Sequence, residues 1–277
     1  MSIIDESKRY NFKRITLREL KEDEVLIKVK ACSVCGHDMI MASYGATEMQ
    51  PFGHEISGSV EKVGRLVKNV MVGDQVVLES GTFDRFSNAS RNGRVDLDNK
   101  GSNFWVKDDD NMGVALDLIK TADIKLGNTV LVMGLGPIGL MAAKMAKASG
   151  AIKVYATELP ECKARIELAK KWRVDEVFAP NSISVKVDRV LVTAPPKVIP
   201  SAFEQCNIGA IVAFLGIDYG NEGFVTFDSN IVHFNKLQLR ASHASPALYF
   251  PECIELIKAG IVNTEELITH RFKIEKL

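Results

Sequence analysis

Residues 128–158 read NTVLVMGLGPIGLMAAKMAKASGAIKVYATE, and few stretches constrain a fold as tightly. An apolar, β-branched run ends at Gly134-Leu135-Gly136-Pro137-Ile138-Gly139, and a small-residue helix pattern follows. Pro137 suits a first helical turn, and Gly150 a left-handed helix stop. The next strand, KVYATE, ends in Glu158, nineteen residues after Gly139. Each residue type has a physical reason. Gly134 permits a tight turn, Gly136 lets a pyrophosphate approach the backbone, and Gly139 lets the helix pack close to the strand. The helix N-terminus, at Pro137 and Ile138, offers its N–H groups to phosphate. Glu158 would accept hydrogen bonds from the adenosine ribose, and its charge would repel a 2′-phosphate, which favours NAD over NADP. GxGxxG alone is weak, but strand, turn, helix, strand and acid in order make a dinucleotide-binding unit.

The pattern continues downstream. DEVFA (175–179), DRVLVTA (188–194), GAIVAFLGI (209–217) and LQLRAS (237–242) read as strands, with helical segments at 161–172 and 199–207. Alternation of this kind predicts an α/β architecture with a doubly wound parallel sheet. One connection stands out. Only eight residues, Pro180 to Val187, separate DEVFA from DRVLVTA, where a parallel crossover needs about a dozen. Either the crossover is shortened there or residues are missing.

Before residue 113 the grammar differs. EVLIKVKAC (24–32), EISGSVEKVG (55–64) and DQVVLES (74–80) are short β-rich runs punctuated by glycines, which predicts a mostly antiparallel β domain. Val25, Ile27, Val29 and Ala31 alternate as a half-buried strand would. Lys+Arg and Asp+Glu both number 35, so no basic excess points to nucleic acid or an anionic membrane. The N-terminus lacks the apolar stretch of a signal peptide, and no apolar run reaches spanning length. Five cysteines in 277 residues make no disulfide framework, so a cytoplasmic location is expected.

Two short motifs carry further chemistry. CSVCGHD (32–38) is followed by GHEISG (53–58), with His54 nineteen residues after Cys35. Cys35 and His54 suit zinc, and Glu55 could add an oxygen; three protein ligands leave one position open, as catalytic zinc requires. Cys32-x-x-Cys35 also reads as a redox pair, although the β-rich setting is not that of a thioredoxin motif. A buried core cysteine and a satisfied histidine would be the ordinary reading of either residue alone.

Taken together, these segments resemble the zinc-dependent medium-chain alcohol and polyol dehydrogenases, in the sorbitol/threonine dehydrogenase-like branch. EVLIKVKACSVCGHD and PFGHEISGSVEKVG are similar to the family's two zinc-ligand segments, VGDQVV to the strand that follows, and ALDLIKTADIKLGNTVLVMGLGPIGLMAAKMAKASGA to its hinge helix and cofactor loop. LIKAGIVNTEELITHRFKIEKL resembles its closing segment. The resemblance implies a GroES-like catalytic domain at 1–113, completed by 245–277, around a Rossmann NAD-binding domain at 114–244. It implies one catalytic zinc held by Cys35, His54 and Glu55, with Asp38 orienting the ligand histidine. The implied reaction is zinc-assisted hydride transfer from a secondary alcohol or polyol to NAD, in a homodimer or homotetramer whose partner is a small-molecule alcohol.

Four departures from the family pattern matter. His37 stands where a Ser or Thr usually relays the hydroxyl proton, and histidine too shuttles protons near neutral pH. The structural-zinc loop keeps its spacing in DRFSNASRNGRVDLD (84–98) but fills the four cysteine positions with Asp84, Ser87, Ser90 and Asp98, so that zinc is expected to be lost. The family's Glu-Pro before the hinge helix is absent from NMGVALDL (111–118). The two termini, the pre-hinge region and the 180–187 link all run short. These departures motivate an alternative, a degenerate member that binds dinucleotide without catalysis.

Overall fold

The computed structural model describes residues 2–4, 10–12, 14–36, 38, 50–51, 53–79, 81–98, 111–218, 223–243 and 246–273. The chain divides into two units, residues 1–110 with 272–277, and residues 111–271.

In the first unit, β1 (Ser2–Ile4), β2 (Tyr10–Phe12) and β4 (Gln50–Pro51) form one antiparallel sheet in the order β2-β1-β4. A second, in the order β3-β5-β6, joins β3 (Val25–Ser33), β5 (Glu55–Val63) and β6 (Gln75–Val77). The antiparallel β domain is as the glycine-punctuated runs imply. The alternation in β3 does not survive as burial, however: Val29 is 55% exposed. The register of β3 on β5 slips between Leu26 and Ile27 and again between Val29 and Ala31. The first slip leaves Glu61 of β5 as the extra residue; the second leaves Lys30 of β3, and there the period of two in β3 breaks. A short helix, α1 (Asn88–Arg91), lies in the lobe after β6.

The second unit holds six parallel strands: β7 (Thr129–Met133), β8 (Lys153–Thr157), β9 (Glu176–Phe178), β10 (Val187–Val192), β11 (Cys206–Phe214) and β12 (Gln238–Ala241). Their order is β9-β8-β7-β10-β11-β12, the doubly wound Rossmann arrangement with its switch point between β7 and β10. Both faces are covered, which is why the central strands carry continuous apolar runs, Val130–Met133 in β7 and Val190–Val192 in β10. Val130, Val132, Val154 and Ala156 face one layer, formed by α2 (Asn111–Thr121), α3 (Pro137–Ala148), α4 (Lys163–Lys171) and α7 (Pro246–Lys258). Leu131, Met133, Val190 and Val192 face the other, with α5 (Ile199–Glu204) and α6 (Ser229–Phe234).

Residues 179–186 link β9 to β10, and the chain crosses there without a helix. Phe178 and Val187 lie three strand spacings apart across the sheet and five residues apart along it, a separation of about 22 Å. Eight residues coiled as a helix would span only about 12 Å. The link makes one turn, with the Ser182 N–H donating to Ala179 O at 3.0 Å, and then runs on to β10, Ile183 and Val185 packing onto the sheet.

The return to the first unit comes at residue 272, not at 245 as the resemblance implied. α7 stays with the Rossmann unit because its apolar side is used there. Cys253 and Val262 are buried in the same cluster as α2 and α3, with Tyr249 and Leu256 packed against it. Trp172 Nε1 donates to Glu266 Oε2 at 3.1 Å, and Lys171 pairs with the same carboxylate at 2.9 Å.

Candidate active site

The register of β3 on β5 builds the first cluster. Ser33 lies opposite Glu55 and Cys32 opposite Ile56, so Cys35, just beyond β3, meets His54, just before β5. Gly53 makes the approach possible: its φ of +90° suits glycine, and a Cβ there would lie 2.8 Å from Cys32 Sγ. Cys35, Asp38 and His54 are buried and Glu55 half-buried. Donor atoms of Cys35, His54 and Glu55 all lie within 4.8 Å of one another.

Asp38 organises this cluster. One carboxylate oxygen, Oδ1, sits 2.9 Å from His54 Nδ1, and the other accepts the backbone N–H of Cys35 at 2.9 Å. An ionised carboxylate only accepts, so His54 carries its proton on Nδ1. Its buried Nε2 is then the nitrogen available to coordinate. A thiol, an imidazole fixed in the coordinating tautomer and a carboxylate are a donor set that fits zinc. His37 lies outside the described residues.

The second cluster stands at the carboxyl ends of β7 and β8. Gly134 has φ of +101°, and its N–H donates to Thr157 O at 3.0 Å, tying the turn to β8. Gly136 precedes Pro137 at the start of α3, and no side chain caps that helix end. The space around Gly136 is open within 4 Å of where a Cβ would be, a cradle that a phosphate could enter. Gly139 is needed for close approach, but to the turn itself: a Cβ there would lie 2.0 Å from Gly134 O and 2.8 Å from Thr193 Oγ1.

Glu158 is 7% exposed and already works within the fold. Its Oε2 accepts Leu135 N–H at 3.0 Å and lies 3.4 Å from Arg165 Nη1, while Oε1 accepts Leu159 N–H at 2.8 Å. A carboxylate has about four acceptor positions, so little more than one remains for a ribose hydroxyl while Arg165 stays. Gly134, Gly136, Pro137, Ile138, Gly139 and Glu158 are thus brought together as the motif required. Thr193 was not foreseen. It follows β10, and its hydroxyl lies 2.7 Å from Gly134 O.

The lobe at 84–98 is held by oxygen chemistry. Asp98 Oδ2 accepts the Asp84 N–H, and the Ser87 and Ser90 hydroxyls lie 3.1 Å apart, with Ser87 capping α1.

The model of the alcohol dehydrogenase GroES-like domain matches residues 21–143, and that of the zinc-binding dehydrogenases matches 137–259. The chain belongs to the zinc-dependent medium-chain alcohol and polyol dehydrogenase family. As a member of that family it is an oxidoreductase of alcohols or polyols. It is 28% identical to a D-xylulose reductase of Saccharomyces cerevisiae, over 91% of this chain and 84% of that one. It is 27% identical to the sorbitol dehydrogenase of Bos taurus, over 92% and 84%. Among solved structures, galactitol-1-phosphate dehydrogenase from Escherichia coli superposes with a TM-score of 0.84 at 21% identity, covering 99% of this chain and 93% of that one. An alcohol dehydrogenase from Thermus sp. ATN1 gives 0.85 at 20% identity, covering 97% and 91%. At such identities these structures show the shared fold of this dehydrogenase family.

Proposed function

We propose that this dehydrogenase oxidises a secondary alcohol or polyol with NAD as hydride acceptor, using one zinc per subunit held by Cys35, His54 and Glu55. The observation that carries the reading is the donor trio within 4.8 Å, with Asp38 hydrogen-bonded to both His54 and Cys35. The D-xylulose reductase and sorbitol dehydrogenase relatives support a polyol substrate. Bound zinc supplies a Lewis acid for the substrate hydroxyl, and the nicotinamide supplies the hydride acceptor.

The chain's own residues do the rest. Asp38 holds the His54 proton on Nδ1, so the ring presents a lone pair at Nε2. Cys35 contributes negative charge to the trio and Glu55 an oxygen. His37 relays the hydroxyl proton, a role its place in the motif suggests. The turn at Gly134–Gly139 and the start of α3 receive the pyrophosphate. The acceptor position left on Glu158 takes a ribose hydroxyl, and its charge disfavours a 2′-phosphate. A homodimer or homotetramer built through the 111–271 unit, in the cytoplasm, belongs to the same reading.

The test combines elemental analysis of the purified chain with NADH formation across a panel of sugar alcohols. We expect about one zinc per subunit. Cys35→Ala should lose both the zinc and turnover while still binding NADH. Undiminished turnover in Cys35→Ala, or NADH binding with no oxidation across the panel, would overturn the proposal.

A further inference from the structure

We infer that Thr193 is a positioning residue for the dinucleotide, acting with Glu158 to select one orientation of the peptide between Gly134 and Leu135. The inference rests on the NAD reading above and assigns a role to a residue outside the glycine motif.

That peptide is gripped from both sides. Its carbonyl, on Gly134, accepts the Thr193 hydroxyl at 2.7 Å. Its N–H, on Leu135, donates to Glu158 Oε2 at 3.0 Å. In a planar trans unit these two groups point in opposite directions. The donor from beyond β10 and the acceptor at the end of β8 therefore pull on one rigid plate across the end of β7. The Thr193 backbone is anchored in turn: the N–H groups of Thr193 and Ala194 both donate to Met133 O, at 3.1 and 2.9 Å. The hydroxyl also lies 3.1 Å from Met133 O, but its single proton goes to the nearer Gly134 O.

The clamp bears on the softer of the two torsions that set this peptide. ψ of Gly134 is restrained by no Cβ, so on that side the orientation rests on the two hydrogen bonds, while the buried Leu135 side chain restrains the other. Reversal would point the Leu135 N–H away from Glu158 and the Gly134 carbonyl away from Thr193. As held, the Gly134 carbonyl sits against Gly139, 2.0 Å from where a Cβ there would lie. The clamp holds the turn in the form that leaves the open space at Gly136 and the uncapped start of α3 to a phosphate. Thr193 thereby acts on cofactor affinity through the backbone, without touching the reacting atoms.

The experiment is NADH titration by fluorescence, with steady-state kinetics, on the full chain and on Thr193→Val, Thr193→Ser and Thr193→Ala. Valine keeps the shape and deletes the donor. We expect it to weaken NADH binding and raise KM for NAD about fivefold to tenfold, the worth of one hydrogen bond, with kcat changed less than about twofold. Serine restores the donor and should return affinity to within about threefold of the parent. Alanine should match valine, and it carries the test should valine fail to fold. In a Glu158→Ala background the valine substitution should cost less than in the parent, because both residues hold one peptide. A general loss of folded protein would lower kcat and leave KM alone. Unchanged NADH affinity in both the valine and alanine variants overturns the inference, as does a serine variant as weak as valine. A parent chain that fails to bind NADH takes down the NAD reading and this inference with it.

Discussion

Asp38→Asn is the substitution from which the metal cluster has most to lose. The carboxylate accepts two hydrogen bonds at once, from His54 Nδ1 and from Cys35 N–H, both at 2.9 Å. An asparagine amide has one acceptor and one donor end. If its oxygen faces His54, its NH2 meets the Cys35 N–H, donor against donor, and that bond is lost. If it turns around, its NH2 faces Nδ1, and the imidazole must move its proton to Nε2, the nitrogen needed for coordination. In the first case a hydrogen bond in a buried network disappears, worth about 1.5–3 kcal/mol; in the second both hydrogen bonds survive, but Nε2 loses the lone pair that coordination needs. That range corresponds to a loss of roughly tenfold to a hundredfold in zinc affinity, which is the usual effect of removing such a supporting group. The assay is zinc occupancy at buffered free zinc, by competition with a chromophoric chelator, with circular dichroism confirming that the variant is folded. A folded Asp38→Asn that holds zinc as tightly as the parent would refute the reasoning.

Two further outcomes follow from the Rossmann unit. Gly139→Ala places a methyl 2.0 Å from a backbone carbonyl, and should cost about 1–3 kcal/mol in urea unfolding and weaken NADH together; an unchanged midpoint would show the turn to be softer than its geometry. Burial pushes the Asp188 carboxyl up from its ordinary value of 3.8, but hydrogen bonds from the Thr129 N–H, the Asn207 amide and the Thr129 hydroxyl outweigh it, and the net shift is downward. Its contribution is therefore present above pH 3.8 and lost as pH falls below that value and through the lower folded one. Asp188→Ala should be destabilised at pH 7 by urea unfolding, with the gap closing below about pH 4; a gap that stays constant into acid would exclude the ionised carboxylate as its source.

What could be read from sequence, and what could not, divides by distance along the chain. The glycine turn and Glu158 fall within thirty residues, so motif spacing carries them. Cys35 and His54 are nineteen residues apart, and β-rich runs on either side give the hairpin that joins them. Thr193 lies some sixty residues beyond the turn it clamps, and only the placement of β10 beside β7 reveals it. The domain return was misplaced for a related reason. Residues 246–258 show a helical apolar pattern, but which unit that face packs on is decided by Cys253 meeting α2 and α3, a tertiary fact. In β3 the pattern itself misled, since register slips are invisible to a period of two. His37, the relay residue of the proposed mechanism, stands on its motif position alone.

The helix-free link between β9 and β10 sets how the sheet must assemble. Nine Cα steps, fully extended, reach about 30 Å, and some 22 Å of that is spent on the direct path, before the chain arches over the sheet face. A tether this short keeps β10 within about 30 Å of β9, close to the strands already formed. The two halves of the nucleotide fold are here joined by a link whose eight residues, coiled as a helix, could not span the distance between them.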